Sequence, residues 1–245
     1  MININKIKHL IPAFFYCSGV GERFSGDDWA IDYELDLDEE FNTEISNLQG
    51  GVSLLNDALQ RNDLIAAKYA LIEMRVASLS LYGFFMNIYD DVERVGWVGR
   101  EGVVISKGCA SFASCNGCED VYFQVKNINN IKWLFLRLYD CSGGRRVFFS
   151  ERGGVGCKAD LDEKLSNDIA DFQMSLNFLE NSLREGDAIK VVVFLGKVRD
   201  SSLALSGFFK NIFDDIDKNA WSDAAKLPAI PEGYALPESY NYPKR

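Results

Sequence analysis

The sequence has a single histidine, fewer basic than acidic residues and no long apolar run. The one histidine, His9, allows a Ser-His-Asp or Cys-His catalytic device at most once, and we expect a packed, half-buried ring instead. No segment approaches the roughly 20 apolar residues that a helix needs to cross a bilayer, so no membrane partner is expected. With 36 acids against 26 bases, the net charge of −10 argues against nucleic acid, because phosphate contacts need clustered Lys and Arg.

What the chain does contain is an internal repeat. Residues 3–97 match residues 127–221 without a gap, at an offset of 124 positions. The clearest match pairs residues 78–91 with residues 202–215, where each copy has Gly-Phe-Phe and ends in Asp-Asp. The pattern divides the chain into a first repeat (1–97), a connecting segment with a strand and a cysteine cluster (98–124), a second repeat (125–221) and a C-terminal tail rich in proline and tyrosine (222–245).

The repeat also bears on location. Residues 3–24 look like a short signal segment, with Lys6 and Lys8 before an apolar stretch. They match residues 127–148 in the middle of the chain, where a cleavable signal cannot lie, so we expect this stretch to belong to the fold and the protein to be cytoplasmic. Six cysteines in 245 residues do not form the dense disulfide framework of a small secreted protein.

Apolar spacing indicates one amphipathic helix in each copy. Apolar residues step by four and three positions through both segments: Phe41, Ile45, Leu48, Val52, Leu55 and Leu59, and then Leu165, Ile169, Phe172, Leu176, Leu179 and Leu183. Asp36 and Asp160 are predicted N-caps, and Asn62 and Gly186 stand where a left-handed C-cap is expected. The pair Gly50-Gly51 inside the first helix predicts a kink or close packing.

Other segments are predicted as strands from their β-branched and aromatic residues. Ile131–Tyr139, a turn at Ser142–Arg145 and then Val147-Phe148-Phe149 predict a β-hairpin at the start of each copy. Ile189–Leu195 predicts a third strand. Its counterpart Ile65–Leu71 is assigned as a strand through the repeat, although its alanines favour helix.

Each copy is therefore predicted to be β-β-α-β-α, with a second helix from about Ser78 to Glu93 and from Ser202 to Asp217. The predicted fold class is α+β, a tandem duplication with two-layer sheet-and-helix packing and a pseudo-twofold arrangement, because each copy gains apolar burial by docking on its twin. A further strand is expected at Gly102–Ser106. The tail from Lys226 is expected to be extended, and any packing of the tail on the surface is expected through three tyrosines, Tyr234, Tyr240 and Tyr242.

The cysteines of the connecting segment are the metal candidate. Cys109, Cys115 and Cys118 lie close together, and clustered thiolates suit tetrahedral zinc, with Cys157 as a candidate fourth ligand. A structural zinc site usually shows two paired ligand knuckles, whereas here a single Cys-x2-Cys has no histidine near it. Free or locally bonded thiols are the alternative, and no cofactor is expected other than zinc at this cluster.

Acids near the end of the second helix are the candidate binding residues of each copy. They are Asp90 and Asp91 with Asn87, and Asp214 and Asp215 with Asn211. Negative charge at a helix C-terminus opposes the helix dipole, so its presence in both copies suggests a use, such as binding a cation or a basic side chain of a partner. The alternative is that these residues bond Arg75 and Arg199 or cap neighbouring backbone.

No catalytic motif names a function, and the leading hypothesis is a non-catalytic acidic protein that binds a basic protein partner. An acidic surface steers and accelerates such association. In character alone the chain resembles small bacterial immunity proteins, so an inhibitor that neutralises a cognate toxin or effector is expected. One alternative is an enzyme or small-ligand binder with a divalent cation held by acids between the two repeats. Another is a scaffold subunit that assembles through sheet edges.

Overall fold

The computed structural model describes residues 2–17, 25–97, 125–143, 160–221 and 226–242. Within these ranges the chain is helical and forms no strand. The α-helices are α1 (Ile7–Cys17), α2 (Leu37–Gln60), α3 (Leu64–Gly96), α4 (Ile131–Ser142), α5 (Leu161–Glu185) and α6 (Ala188–Ala220). The predicted α+β class, with its β-β-α-β-α repeat and its sheet layer, is therefore wrong. The strand expected at Gly102–Ser106 and the second hairpin strand expected at Val147-Phe148-Phe149 lie outside the described residues.

The first segment of each copy is a helix and not a hairpin strand. In α4 the buried core residues are at helical spacing and are Ile131, Leu134, Phe135, Leu138 and Tyr139. The same spacing recurs in α1, where Pro12 lies inside the helix. Aromatic and β-branched residues favour strands only where they fit a half-buried sheet surface, and here they fill one side of a helix.

The predicted third strand and second helix of each copy form one continuous helix, α3 or α6, of 33 residues. Ile65–Leu71 opens α3, so the helix propensity of its alanines was the better guide. Ile189–Leu195 lies in α6, where Val191 and Leu195 are buried four residues apart. The second helix predicted from about Ser78 to Glu93 lies within α3, which buries Leu81, Phe84, Phe85, Ile88 and Val92 at helical spacing.

The features predicted for α2 and α5 are confirmed. The caps Asp36 and Asp160 each accept the backbone N–H three residues on at 3.1 Å, and Asn62 and Gly186 both adopt left-handed conformations. All the stepping apolar residues of both helices are buried. Close packing explains the glycine pair, since a Cβ on Gly51 would lie 2.6 Å from Cγ of a buried methionine on α3.

The helices recur at the spacing of the sequence repeat. The starts of α4, α5 and α6, at residues 131, 161 and 188, each lie 124 positions after those of α1, α2 and α3. Each position in one copy can therefore be compared with a counterpart on an equivalent helix of the other copy.

The described residues fall into two compact units. Unit 1 holds residues 2–17, 25–41, 83–97 and 166–206, and unit 2 holds residues 42–82, 125–143, 160–165, 207–221 and 226–242. Each unit contains segments from both repeats, so these units do not follow the repeat boundaries.

Aromatic side chains join the repeats inside unit 1. The Phe85 ring lies 5.7 Å from that of Phe41 and 5.8 Å from that of Phe172, both nearly edge-on. All three rings are fully buried. Unit 2 has a buried polar link, in which the Tyr139 hydroxyl donates to Asn219 Oδ1 at 2.6 Å.

Candidate functional site

The acids predicted from the first copy have different environments in unit 1. Asn87 and Asp90 are exposed on α3, whereas Asp91 is only 2% exposed. The two carboxylate oxygens of Asp91 accept the backbone N–H groups of Ala30 and Ile31, each at 2.8 Å. Burial raises the pKa of Asp91, and these two hydrogen bonds lower it by less. Asp91 therefore caps neighbouring backbone, which is the alternative that the sequence left open.

The acids of the second copy lie in unit 2. Asn211 and Asp214 are half-buried, and the Lys210 ammonium donates to the Asp214 carboxylate at 2.6 Å. Asp215 is buried, and Lys218 Nζ lies 3.9 Å from its Oδ1. A ligand-binding role for the acids of either copy stays a prediction.

The arginines proposed as partners of these acids pair with other carboxylates. In unit 1, Arg199 pairs with Glu93 at 3.2 Å, and its guanidinium lies 4.5 Å over the Trp97 ring. In unit 2, Arg75 pairs with Asp217 at 2.5 Å and lies 5.4 Å over the ring of Trp221, the counterpart of Trp97. Each copy thus supplies an arginine that stacks on the tryptophan of the other copy.

The zinc hypothesis is not tested by the described residues. Cys109, Cys115, Cys118 and Cys157 all lie outside them. Across the described ranges, no three His, Cys, Asp or Glu side chains come together as a metal-binding group. The described thiol of Cys141 is free, and the single histidine, His9, is exposed on α1 and not half-buried as predicted.

An apolar surface in unit 1 is the feature that sequence analysis missed. We call it the α5–α6 face and define it by Met174, Phe178, Ile189 and Val193, which are 52%, 45%, 78% and 50% exposed. The Phe178 ring stacks on that of Phe194 at 4.9 Å. Between the helices lies a depression of about 320 Å³ with apolar, acidic and basic walls, lined by Asp171, Met174, Ser175, Phe178, Phe194, Lys197, Asp200 and Ser201.

The counterpart surface in unit 2 is covered. The α2–α3 face consists of the positions 124 residues earlier, which are Gly50, Leu54, Ile65 and Tyr69. Leu54 is buried, and the other three are partly buried. The C-terminal tail, residues 226–242, lies against this face and brings the rings of Tyr234 and Tyr242 to 6.2 and 6.5 Å from that of Tyr69. The prediction that the tail packs through its tyrosines is confirmed.

Polar contacts fix the tail at both of its ends. Lys68 Nζ donates to the backbone oxygen of Pro228 at 2.9 Å. At the turn between α2 and α3, the Arg61 guanidinium donates to Ser239 and lies 4.3 Å over the Tyr240 ring, whose hydroxyl donates to Asp63 at 3.0 Å. Burial and the hydrogen bond to Asp63 raise the pKa of Tyr240 to about 12.

One signal in the sequence could have revealed the α5–α6 face. Val191–Leu195 is a run of five apolar residues, and on a helix such a run extends around more than one side. When the run is interpreted as a strand, its extra apolar residues do not stand out, because a strand buried inside a sheet has apolar residues on both faces.

Comparison with known proteins adds no function. The chain matches no protein-family model, no curated protein and no solved structure. Over the described residues, no helix combines the length and the apolar character needed to cross a membrane.

Proposed function

We propose that this chain is a non-catalytic protein-binding protein whose α5–α6 face docks on a basic protein partner. The observation that carries the proposal is the contrast between the two faces. The chain covers the α2–α3 face with its own tail, while Met174, Phe178, Ile189 and Val193 stay exposed at the counterpart positions.

The composition of the α5–α6 face supports docking of a protein. Exposed apolar side chains that line one depression, as Met174 and Phe178 do here, mark interaction sites, and Phe and Met are enriched where proteins meet. Methionine adapts its shape to a partner surface, and an exposed aromatic ring adds a large contact area.

Charge supports a basic partner. The chain carries a net charge of −10, and Glu185 and Asp187 lie at the turn between α5 and α6 beside the face. A chain of net negative charge attracts a basic protein over several ångströms and raises the association rate at low salt. Inhibition of a toxin or effector, in the manner of an immunity protein, is the specific form of the proposal. It rests on this charge alone.

The remaining expectations from the sequence are carried by no specific contact. A cation site or catalysis involving the acids of both repeats, a scaffold role and a cytoplasmic location stay predictions.

The experiment is affinity purification of the tagged full chain from cells of its source, in wild-type form and as the double variant Met174→Gln/Val193→Gln. Both positions are about half exposed, so the variant should fold. The control is Trp133→Gln, which removes a 71% exposed aromatic from α4 in unit 2.

We expect a stoichiometric partner with the wild type and the control, and its loss with the double variant. Recovery of the same partner by all three chains would contradict docking through the α5–α6 face.

A further inference from the structure

The tail on the α2–α3 face shows how this protein binds an extended peptide. The tail places two tyrosine rings beside Tyr69, and Lys68 holds one of its backbone carbonyls. At the other end, Arg61 holds Ser239 and Tyr240. The face thus combines an apolar surface around Tyr69 with a cationic contact from Arg61 at the turn between α2 and α3.

The α5–α6 face keeps the apolar surface but has an acid where the α2–α3 turn has Arg61. On the apolar surface, Val193 stands at the position of Tyr69 and Met174 at that of Gly50, so the surface stays apolar. At the turn, Glu185 stands at the position of Arg61, while Asp187 keeps the acid of Asp63. A segment that binds here as the tail binds in unit 2 would meet Glu185 and Asp187, both paired with Lys190, in place of Arg61 and Asp63.

The carboxylates at this turn are accessible to a partner. Lys190 pairs with Glu185 at 2.9 Å and with Asp187 at 3.4 Å, and the side chains of Lys190 and Glu185 are more than half exposed. Exposed ion pairs of this kind contribute about 0 to 1 kcal/mol, so a cation from a partner can exchange with Lys190 at little cost.

We propose that the α5–α6 face binds an extended segment of the partner that has apolar or aromatic side chains and, at the end beside Glu185 and Asp187, a lysine or arginine. This inference rests on the proposed function, since it specifies how the partner engages the same face. An extended chain fits because its alternate side chains can enter the depression between α5 and α6 while its backbone stays hydrated at the rim.

The test uses two synthetic peptides and the full chain. One peptide has the tail sequence 226–242, and the other has the same sequence with Ser239→Arg, which places a cation where the tail meets Arg61. Fluorescence anisotropy of labelled peptides gives each Kd. We expect the Ser239→Arg peptide to bind the wild-type chain about fivefold more tightly than the unmodified peptide, as one exposed ion pair allows.

Variants assign the binding to the face and to its charge. Met174→Gln/Val193→Gln should weaken binding of the Ser239→Arg peptide about tenfold, and Trp133→Gln should leave it unchanged. Glu185→Arg should abolish the preference for the Ser239→Arg peptide, because position 185 then carries the same positive charge as Arg61.

Two results would overturn the inference. One is that neither peptide binds the wild-type chain saturably. The other is that the preference for Ser239→Arg persists in Glu185→Arg. In either case the proposed function survives if the purified partner still depends on Met174 and Val193, because the partner then docks through a folded surface.

Discussion

Asp91 on α3 holds the backbone of Ile31, whose N–H donates to the Asp91 carboxylate at 2.8 Å, and the neighbouring N–H of Ala30 donates to the second oxygen at the same distance. The acid pair that looked like a binding site thus contains one residue with a structural role in unit 1 and one exposed residue, Asp90. The two neighbours allow a matched comparison.

We expect Asp91→Ala to lower the free energy of unfolding by about 3 kcal/mol, since it leaves the buried N–H of Ile31 and the part-buried N–H of Ala30 without their acceptor. Asp90→Ala should change it by less than about 0.5 kcal/mol, because Asp90 is exposed. Urea unfolding followed by circular dichroism measures both. Equal effects of the two substitutions would show that the contacts of Asp91 do not stabilise the fold.

Titration of Asp91 should reduce stability as the pH rises. Burial raises the pKa of Asp91 above 3.8 in the folded chain. The folded state therefore holds this proton more tightly than the unfolded chain, and the contribution of the group is full below pH 3.8 and is lost as the pH rises through the folded pKa. As the pH rises above 3.8, the unfolding free energy of the wild type should fall relative to that of Asp91→Asn. A relative rise would mean that the hydrogen bonds outweigh burial.

Two glycines within helices should respond oppositely to alanine. In Gly51→Ala the new Cβ would lie 2.6 Å from Met74 Cγ and 3.4 Å from Met74 N, so the packing of α2 on α3 must shift. We expect a loss of about 1 to 3 kcal/mol in the free energy of unfolding. Gly83→Ala meets no atom within 4 Å and should gain about 0.5 to 1 kcal/mol from helix propensity. Thermal and urea unfolding compare the two, and a gain in Gly51→Ala would contradict the close packing.

The stacking of Arg61 on Tyr240 should appear as coupling between these residues. In a double-mutant cycle with Arg61→Ala and Tyr240→Ala, we expect about 0.5 to 1 kcal/mol of coupling in the free energy of unfolding, together with faster proteolysis of the tail. Tyr240→Phe keeps the ring and loses the hydrogen bond to Asp63, so a cycle that combines it with Arg61→Ala should show little coupling. Additive single effects would indicate that the ring contact does not hold the tail.

Some parts of the fold could be predicted because their signals are local. Three such signals depend on residues within a turn or two of each other. They are the apolar spacing from Phe41 to Leu59, the N-caps Asp36 and Asp160, and the left-handed residues Asn62 and Gly186. Their geometry follows from the 3.6-residue period and from backbone hydrogen bonds.

The strand predictions failed where composition was weighed above periodicity. Ile131–Tyr139 has strand-like residues, but its buried set is helically spaced. Ile65–Leu71 was assigned from its counterpart Ile189–Leu195, and the alanine-rich copy was the more reliable of the two. Strand propensity depends on packing partners that one segment does not contain, whereas helix propensity is largely intrinsic.

The sequence by itself determined the repeat, the amphipathic α2 and α5 and their ends, because spacing and capping act between near neighbours. Only the tertiary structure decided that Asp91 is buried against Ala30 and Ile31, and that the tail covers Tyr69 while Val193 stays exposed. Burial depends on which distant segments meet, and in these cases the contacting residues are about 60 and 165 or more positions apart in the chain.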